Sequence, residues 1–267
     1  MSTDQFAAFK ERQREMWSSF APTATFTTTA AAHLVRFAGI SPGEAVLDVG
    51  TGTGVGAITA ARAGARVNAI DLTPALLEVA LENARIAGVA EVEFIEGDAE
   101  HLPYPDASFD VVLSQFGHMF APRPERAVAE MRRVLKSSGR IAFATWPPEL
   151  LVGQVFAFVG RNGPPLPPGV APPVLWGDEA VIAERLGDKF GAPVFEHGAM
   201  AVPALSISHY RLFMERSIGP IQKLVESLAA EPQRLDAVRR ELETIMGVYY
   251  DANVVRQEYL LTKAPAR

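Results

Sequence analysis

Apolar residues along this chain recur with two different periods, and the alternation between them predicts the fold. Asp4 to Phe20 carries Phe6, Phe9, Gln13, Met16, Trp17 and Phe20 at helical spacing among charges, which predicts a short amphipathic helix. Ala21-Pro22 breaks it, and a threonine-rich stretch leads into a second helix over Ala30 to Ala38. After the turn from Gly39 to Gly43, the run Val46-Leu47-Asp48-Val49-Gly50-Thr51-Gly52-Thr53-Gly54-Val55-Gly56 reads as a buried strand, a tight turn and a helix start, with that helix continuing over Ala57 to Ala63. Further strands are expected at Arg66 to Asp71, Glu91 to Glu96, Phe109 to Ser114 and Arg140 to Thr145, separated by helices at Ala75 to Ala87 and Glu125 to Lys136. Thr73-Pro74 supplies a capping residue and a first-turn proline for the first of these helices. Phe109 to Ser114 is apolar on both faces, as a central strand of a parallel sheet must be. Strands alternating with helices at this spacing predict a doubly wound, Rossmann-like α/β sheet.

The rhythm changes after Trp146. Gly163 to Pro173 holds six prolines and is expected to be an extended loop. A short helix at Asp178 to Leu186 and a sixth strand at Pro193 to Val202 follow. Between Ser206 and Tyr250, Ile221, Leu224, Val225 and Leu228, then Leu235, Val238, Leu242, Ile245 and Met246, predict two helices paired as a hairpin, with Pro232 at the break. Asn253 to Thr262 closes as a last strand. The expected organisation is an N-terminal helical lid over 1–40, an α/β core over 41–205 and 251–267, and a helical cap inserted at 206–250.

Composition narrows the chemistry. At 267 residues with 48% hydrophobic and 21% charged, the chain is long enough to bury a large core. A formal charge of −6 leaves no basic footprint for nucleic acid, so a small-molecule partner is expected, in a monomer or homodimer. No apolar run reaches membrane-spanning length and the polar N-terminus is unlike a signal segment, so no membrane insertion and a cytoplasmic location are expected. With no cysteine, thiolate metal sites and thiol nucleophiles are excluded.

The glycine turn is the first functional candidate. Glycines admit positive φ and let a ligand approach bare backbone, and the N–H groups of the following helix favour a polar or negative group. Asp48, two residues ahead of Gly50, is out of place beside a pyrophosphate but tolerable beside a cation. The glycines do not decide between ligands. Counted from Gly50, G-x-G-x-x-G meets Val55 at its last position; counted from Gly52 it meets Ala57, which dinucleotide sites allow.

Several features in order carry a resemblance: Asp48 to Gly54 after the first strand, Asp71 ending the second, Asp98-Ala99 after the third, Phe109-Asp110 opening the fourth, and Glu130-Met131-Arg132-Arg133-Val134-Leu135-Lys136 leading to Gly139-Arg140. Together they resemble the class I S-adenosylmethionine-dependent methyltransferases, the small-molecule branch that includes ubiquinone and menaquinone C-methyltransferases, across roughly Val46 to Trp146. One departure is Lys136-Ser137-Ser138-Gly139, where that family usually has Lys-Pro-Gly-Gly. The resemblance implies a seven-stranded, mostly parallel sheet with its last strand antiparallel. It also implies S-adenosylmethionine bound by Asp48, Gly50, Thr51, Gly52, Gly54, Asp71, Leu72, Gly97, Asp98, Ala99, Glu100 and Ser114.

Within that set Asp71 is expected at the ribose diol and Asp98-Ala99 at the adenine, because acids ending strands two and three face a ligand at the switch point of such a sheet. Asp48 is expected to hold the turn and to lie near the methionine amino group. A substrate pocket is expected from Trp17, Phe26, Phe116, His118, Trp146 and Tyr210, with Phe20, Met119, Phe120, Phe156, Trp176 and Phe213 as further wall candidates; of the aromatic and apolar residues in the two groups together, about half are expected to be ordinary core. His118 follows strand four at the sheet edge and is the candidate general base, although a packing role weighs more. His33, His101, His197 and His209 read as structural or exposed; Tyr249 and Tyr250 either orient substrate or pack. No Asn/Asp-Pro-Pro-aromatic signature follows strand four, and Ser114 stands where catechol-type enzymes place a metal-binding acid, so neither a nucleobase substrate nor a metal is expected. Methyl transfer to a small apolar or aromatic metabolite is the leading expectation. A nicotinamide-dependent oxidoreductase and a non-catalytic cofactor-binding module are the alternatives.

Overall fold

In the computed structural model, residues 5–89 and 91–267 are described. Asp4, at the expected start of the first helix, lies outside them. Helices α1 (Ala7–Trp17), α2 (Ala21–Ala24) and α3 (Thr28–Ala38) precede the sheet. Then β1 (Ala45–Val49), α4 (Val55–Arg62), β2 (Arg66–Asp71), α5 (Pro74–Ile86), β3 (Val92–Glu96), β4 (Phe109–Gln115), α6 (Pro124–Val134) and β5 (Leu135–Thr145) alternate as the periodicity predicts. After them come α7 (Leu151–Asn162), α8 (Glu179–Leu186), β6 (Val194–Pro203), α9 (Ile207–Ser217), α10 (Gly219–Ser227), α11 (Pro232–Gly247), β7 (Tyr250–Asp251) and β8 (Val254–Pro265).

The sheet runs β3-β2-β1-β4-β5-β8-β6. β1 to β5 pair in parallel, and β8 lies antiparallel between β5 and β6. This is the expected mostly parallel, Rossmann-like arrangement with an antiparallel C-terminal strand. An eighth strand, β7, pairs only with β8 through a two-residue turn at Ala252 and Asn253, whose φ of 46° and 64° match the twist of a tight hairpin. Because β2 and β3 lie on one side of β1 while β4 and β5 lie on the other, the order reverses between β1 and β4, and a crevice opens beyond their carboxyl ends.

Three local expectations need correction. The helix expected to reach Lys136 ends at Val134; Leu135 already pairs with Phe109, and a register shift between Phe109 and Val111 absorbs Lys136 to Gly139 as a bulge. Between Ser206 and Tyr250 there are three helices, because Ser206 caps α9 by accepting the His209 N–H. α7 has no counterpart among the expected elements. The Pro-rich stretch is a loop up to Pro172, with a single 3-10 turn over Pro173–Gly177.

One apolar cluster packs the sheet against α3, α4 and α6, with Leu34, Val46, Leu47, Val112, Met131 and Phe143 wholly or almost wholly buried. A second joins α7, α9, α10 and α11 to the start of β8 through Phe158, Met214, Leu224, Leu242, Met246 and Val255. Among the described residues no helix is long and apolar enough to cross a membrane.

Candidate active site

At the switch point β1 gives way to a turn in which Gly50, Gly52 and Gly54 have φ of +68°, +56° and +82°. Two of these glycines do different things. A Cβ on Gly50 would stand 2.7 Å from Gly117 Cα in the loop after β4, so two backbones touch here. A Cβ on Gly52 would meet nothing within 4 Å; Gly52 borders the open cavity, and a side chain there would enter it.

Acids brace this turn. Asp48 is 1% exposed, and its Oδ2 accepts the Thr51 hydroxyl at 2.7 Å. A Cβ on Gly56 would lie 2.8 Å from the same oxygen, which explains a glycine in the first turn of α4. Burial pushes the Asp48 carboxyl up to about 6, against the Thr51 hydrogen bond that lowers it. Asp71 lines the cavity, Oδ2 accepting the Gly52 N–H at 2.7 Å and Oδ1 the Thr73 N–H at 2.8 Å. Burial raises its pKa, and these backbone bonds oppose the rise. Each oxygen retains a lone pair for a hydroxyl of a ligand.

The loop after β3 faces the same space. Asp98 Oδ1 accepts the Glu100 N–H at 2.9 Å, while Oδ2 accepts Lys10 Nζ of α1 at 2.7 Å. Lys10 also reaches buried Glu100 at 2.7 Å, and Glu100 in turn accepts the Arg123 backbone N–H at 2.6 Å. The N-terminal helix is thereby tied across the loop by a desolvated network.

Of the expected cofactor residues, Gly50, Thr51, Gly52, Asp71, Leu72, Gly97, Asp98 and Ala99 border one cavity. Asp48, Gly54, Glu100 and Ser114 do not. Asp48 lies beneath the turn; a Cβ on Gly54 would sit 3.1 Å from Ala80 and Phe94 on the far side. Glu100 is consumed by Lys10 and Arg123. Ser114 Oγ donates to Val49 O at 2.6 Å and accepts the His118 N–H at 2.9 Å, stitching β1 to the loop after β4.

The cavity continues past the turn into an apolar chamber. Phe116 stacks on Trp146 with ring centroids 3.9 Å apart and planes 9° apart. Phe116 holds φ of 61°, a left-handed conformation rare for an aromatic residue, in a wall of the site. Trp17, Phe20, Phe120 and Phe156 also line the space, as does Tyr210. Phe26 does not: it packs edge-on against Phe213 in the helical cluster. Met119, Trp176 and Phe213 are likewise core rather than wall.

His118 borders the cavity, yet its ring is wedged between Phe143 and Trp176 at centroid distances of 4.6 and 4.5 Å. Burial, helped by the positive charge of Arg185, pushes its pKa down to about 3. An imidazole so placed stays neutral near pH 7 and is a weak proton acceptor. His33 bonds Tyr259 and Glu196, His209 bonds Ser206, and His101 and His197 are exposed. Tyr249 and Tyr250 tie down backbone at Glu149 and Leu205 instead of facing the chamber. Among the described residues no group of three or more His, Asp or Glu is placed to hold a metal.

Sequence reasoning missed Lys10, Gln13, Gly117, Gln115, Gln257 and the whole α7 wall of Leu151, Val152, Val155, Phe156 and Val159, apart from Phe156. Only Gly117 left a local sign, a glycine just past an apolar strand.

Comparison with known proteins matches residues 47–143 to a methyltransferase domain model. An uncharacterised protein of Mycobacterium tuberculosis is 34% identical over 232 residues, covering 86% of this chain and 84% of its own. A demethylmenaquinone methyltransferase of Clavibacter sepedonicus is 41% identical over 112 residues, 41% of this chain and 45% of its own. Among solved structures, a putative methyltransferase from Bacillus halodurans superposes with a TM-score of 0.59 at 25% identity, over 89% of this chain and 98% of that one.

Proposed function

The chain belongs to the class I S-adenosylmethionine-dependent methyltransferases, and from that premise we propose that it methylates a small, largely apolar or aromatic metabolite held in the chamber beyond the glycine turn. S-adenosylmethionine is the cofactor of this family, and the site suits it: space opens in front of Gly52, and Asp71 presents oxygens with remaining lone pairs to that space. The nicotinamide-dependent alternative gives way to the family assignment.

The observation that carries the substrate reading is the character of the chamber wall. Phe116, Trp146, Phe156, Val155, Met214 and Ile221 border it, and among the described residues the cationic side chain on the cavity wall, Lys10, is bound to Asp98 and Glu100. Such a wall rewards burial of apolar surface and penalises an unpaired charge. When bound, the cofactor supplies a methyl group on a sulfonium, open to in-line displacement. The chain's own contribution is positional: Phe116 and Trp146 fix the plane of an acceptor, and α1 and α7 keep water out. Orientation of this kind supplies several kcal/mol of a barrier. His118 belongs to the wall in this reading, since a group titrating at about 3 takes no proton efficiently at neutral pH. In this reading α1 and α2 act as the lid and residues 206–250 as the cap, while α3, which packs on the sheet, stays with the core.

Calorimetry with S-adenosylhomocysteine tests the cofactor site: binding is expected, and the absence of both heat and a thermal shift at millimolar ligand refutes it. Turnover of apolar aromatic acceptors in preference to carboxylated analogues of the same shape is then expected. The reverse preference overturns the substrate reading.

A further inference from the structure

The chamber has a polar feature in its apolar wall. Tyr210 of α9 and Gln257 of β8 both border the cavity, are 2% and 7% exposed, and are joined by a hydrogen bond of 2.5 Å from Gln257 Nε2 to the tyrosine oxygen. Among the described residues this is the one hydrogen bond either side chain makes. A buried tyrosine hydroxyl and a buried amide together carry three N–H or O–H hydrogens, and one bond uses one of them. A donor remains in either orientation of the amide, and in the one the structure shows it is the tyrosine O–H. If Nε2 donates, the tyrosine O–H remains to donate; if the amide is turned, the tyrosine donates to the amide oxygen and the NH2 remains. Either way a donor stands next to the chamber without a protein partner, at a cost that a ligand acceptor removes.

The rest of the wall restricts what that acceptor can be. Gln115, the neighbouring amide on the cavity, is held by donating one of its two N–H groups to Thr27 O at 2.7 Å. Lys10 is neutralised by two carboxylates, and His118 is uncharged. Among the described residues of the wall, a carboxylate or phosphate on the substrate would meet no side chain with a positive charge to spare. An uncharged oxygen needs only a donor. Burial raises the Tyr210 pKa, so the phenol keeps its proton and remains a donor through neutral pH.

We propose that Tyr210, held by Gln257, is a specificity-determining residue that donates a hydrogen bond to an uncharged oxygen on the methyl acceptor, a neutral phenol or a ketone reacting through its enol, and so selects which edge of a flat apolar molecule faces the transferred methyl. The pair is well built for this. Gln257 sits on β8, pairing with Met200 of β6 inside the sheet, so the hydroxyl is fixed from a rigid element while Tyr210 itself arrives from the cap. The proposal rests on the methyltransferase reading of this cavity and adds the acceptor's polar group to it.

The test uses the full chain saturated with S-adenosylhomocysteine and two probes of matched shape, 1-tetralone, which carries a carbonyl, and tetralin, which does not. Calorimetry is expected to show the ketone binding roughly three- to tenfold more tightly than the hydrocarbon. In Tyr210→Phe that preference is expected to fall to about onefold, with S-adenosylhomocysteine and tetralin affinities retained; a general loss of packing lowers both probes together and leaves their ratio alone. Equal binding of the two probes by the unsubstituted protein overturns the proposal without any variant and leaves the cofactor reading standing. A preference that survives unchanged in Tyr210→Phe also overturns it. Failure of S-adenosylhomocysteine to bind overturns the methyltransferase reading of the site, and this proposal with it.

Discussion

Replacing Asp48 by asparagine isolates the energetic consequence of burying an acid beneath the glycine turn. Its carboxyl titrates at about 6 in the folded chain instead of the ordinary 3.8, chiefly through burial. A carboxyl shifted that far binds its proton about 3 kcal/mol more tightly when folded than when unfolded. The sign follows from the direction of the shift. The folded state prefers the neutral acid, so the stabilising contribution is complete below 3.8 and is lost as pH rises through about 6. Asp48→Asn keeps an oxygen for the Thr51 hydroxyl and has no charge to bury. The variant is therefore expected to be more stable than the parent at pH 8, by up to about 3 kcal/mol, and to lose that advantage progressively toward pH 4. For a chain of this length that is up to about 6 °C in melting temperature at pH 8. Thermal or urea unfolding of the cofactor-free protein, both forms measured in parallel across pH 4 to 8, reads the difference. A stability difference that does not change with pH, or one that favours the parent at pH 8, refutes the reasoning.

Other outcomes follow from the same geometry. Gly117→Ala sets a Cβ 2.4 Å from Gly50 O, so it is expected to cost about 1–3 kcal/mol in denaturant unfolding and to weaken S-adenosylhomocysteine binding by calorimetry while circular dichroism keeps the sheet signal. Asp71→Asn retains one acceptor for the Gly52 or Thr73 N–H but loses the charge, and cofactor affinity is expected to fall about tenfold; unchanged affinity removes Asp71 from the site. Lys10→Met cuts α1 away from Asp98 and Glu100, leaving Glu100 to Arg123, and faster limited proteolysis within α1 is the expected readout. His118→Leu is expected to keep turnover within about tenfold of the parent and to leave the pH–rate profile unchanged near 6.5; disappearance of a limb there restores His118 as the base.

The glycine-turn side of the candidate site was legible because its requirements are local. A turn that needs positive φ at Gly50, Gly52 and Gly54 shows itself as glycines, and an acid ending a strand sits where the strand puts it, as Asp71 does. The acceptor side was much less legible. Its wall is assembled from α1, α7, α9, α10 and β8, and an aromatic residue bordering a cavity has the same sequence appearance as one buried in a core, so Phe26 and Phe20 could not be told apart. α7 escaped notice because Leu151, Val152, Val155, Phe156, Phe158 and Val159 leave no clean polar face, and because Gly153 and Gly160 argue against a helix. Gly153 is there for packing: a Cβ would lie 2.2 Å from Pro147 O. Gln257 looked like any polar position on a strand, since what makes it unusual is Tyr210, 47 residues away in sequence. The misassigned end of α6 has another cause. Leu135 and Lys136 suit a helix by propensity, and pairing with β4 overrides it.

The contact between Gly50 and Gly117 joins the two halves of the site mechanically. With no side chain on either residue, the turn after β1 and the loop after β4 rest backbone on backbone, and neither can shift without displacing the other. Phe116, which walls the acceptor chamber, is the residue next to Gly117. A ligand that immobilises the glycine turn is therefore expected to set the angle of the aromatic wall as well, and calorimetry is expected to find acceptor affinity changed once S-adenosylhomocysteine is bound. Linkage makes the effect mutual: whatever factor the cofactor lends to acceptor binding, the acceptor returns to the cofactor.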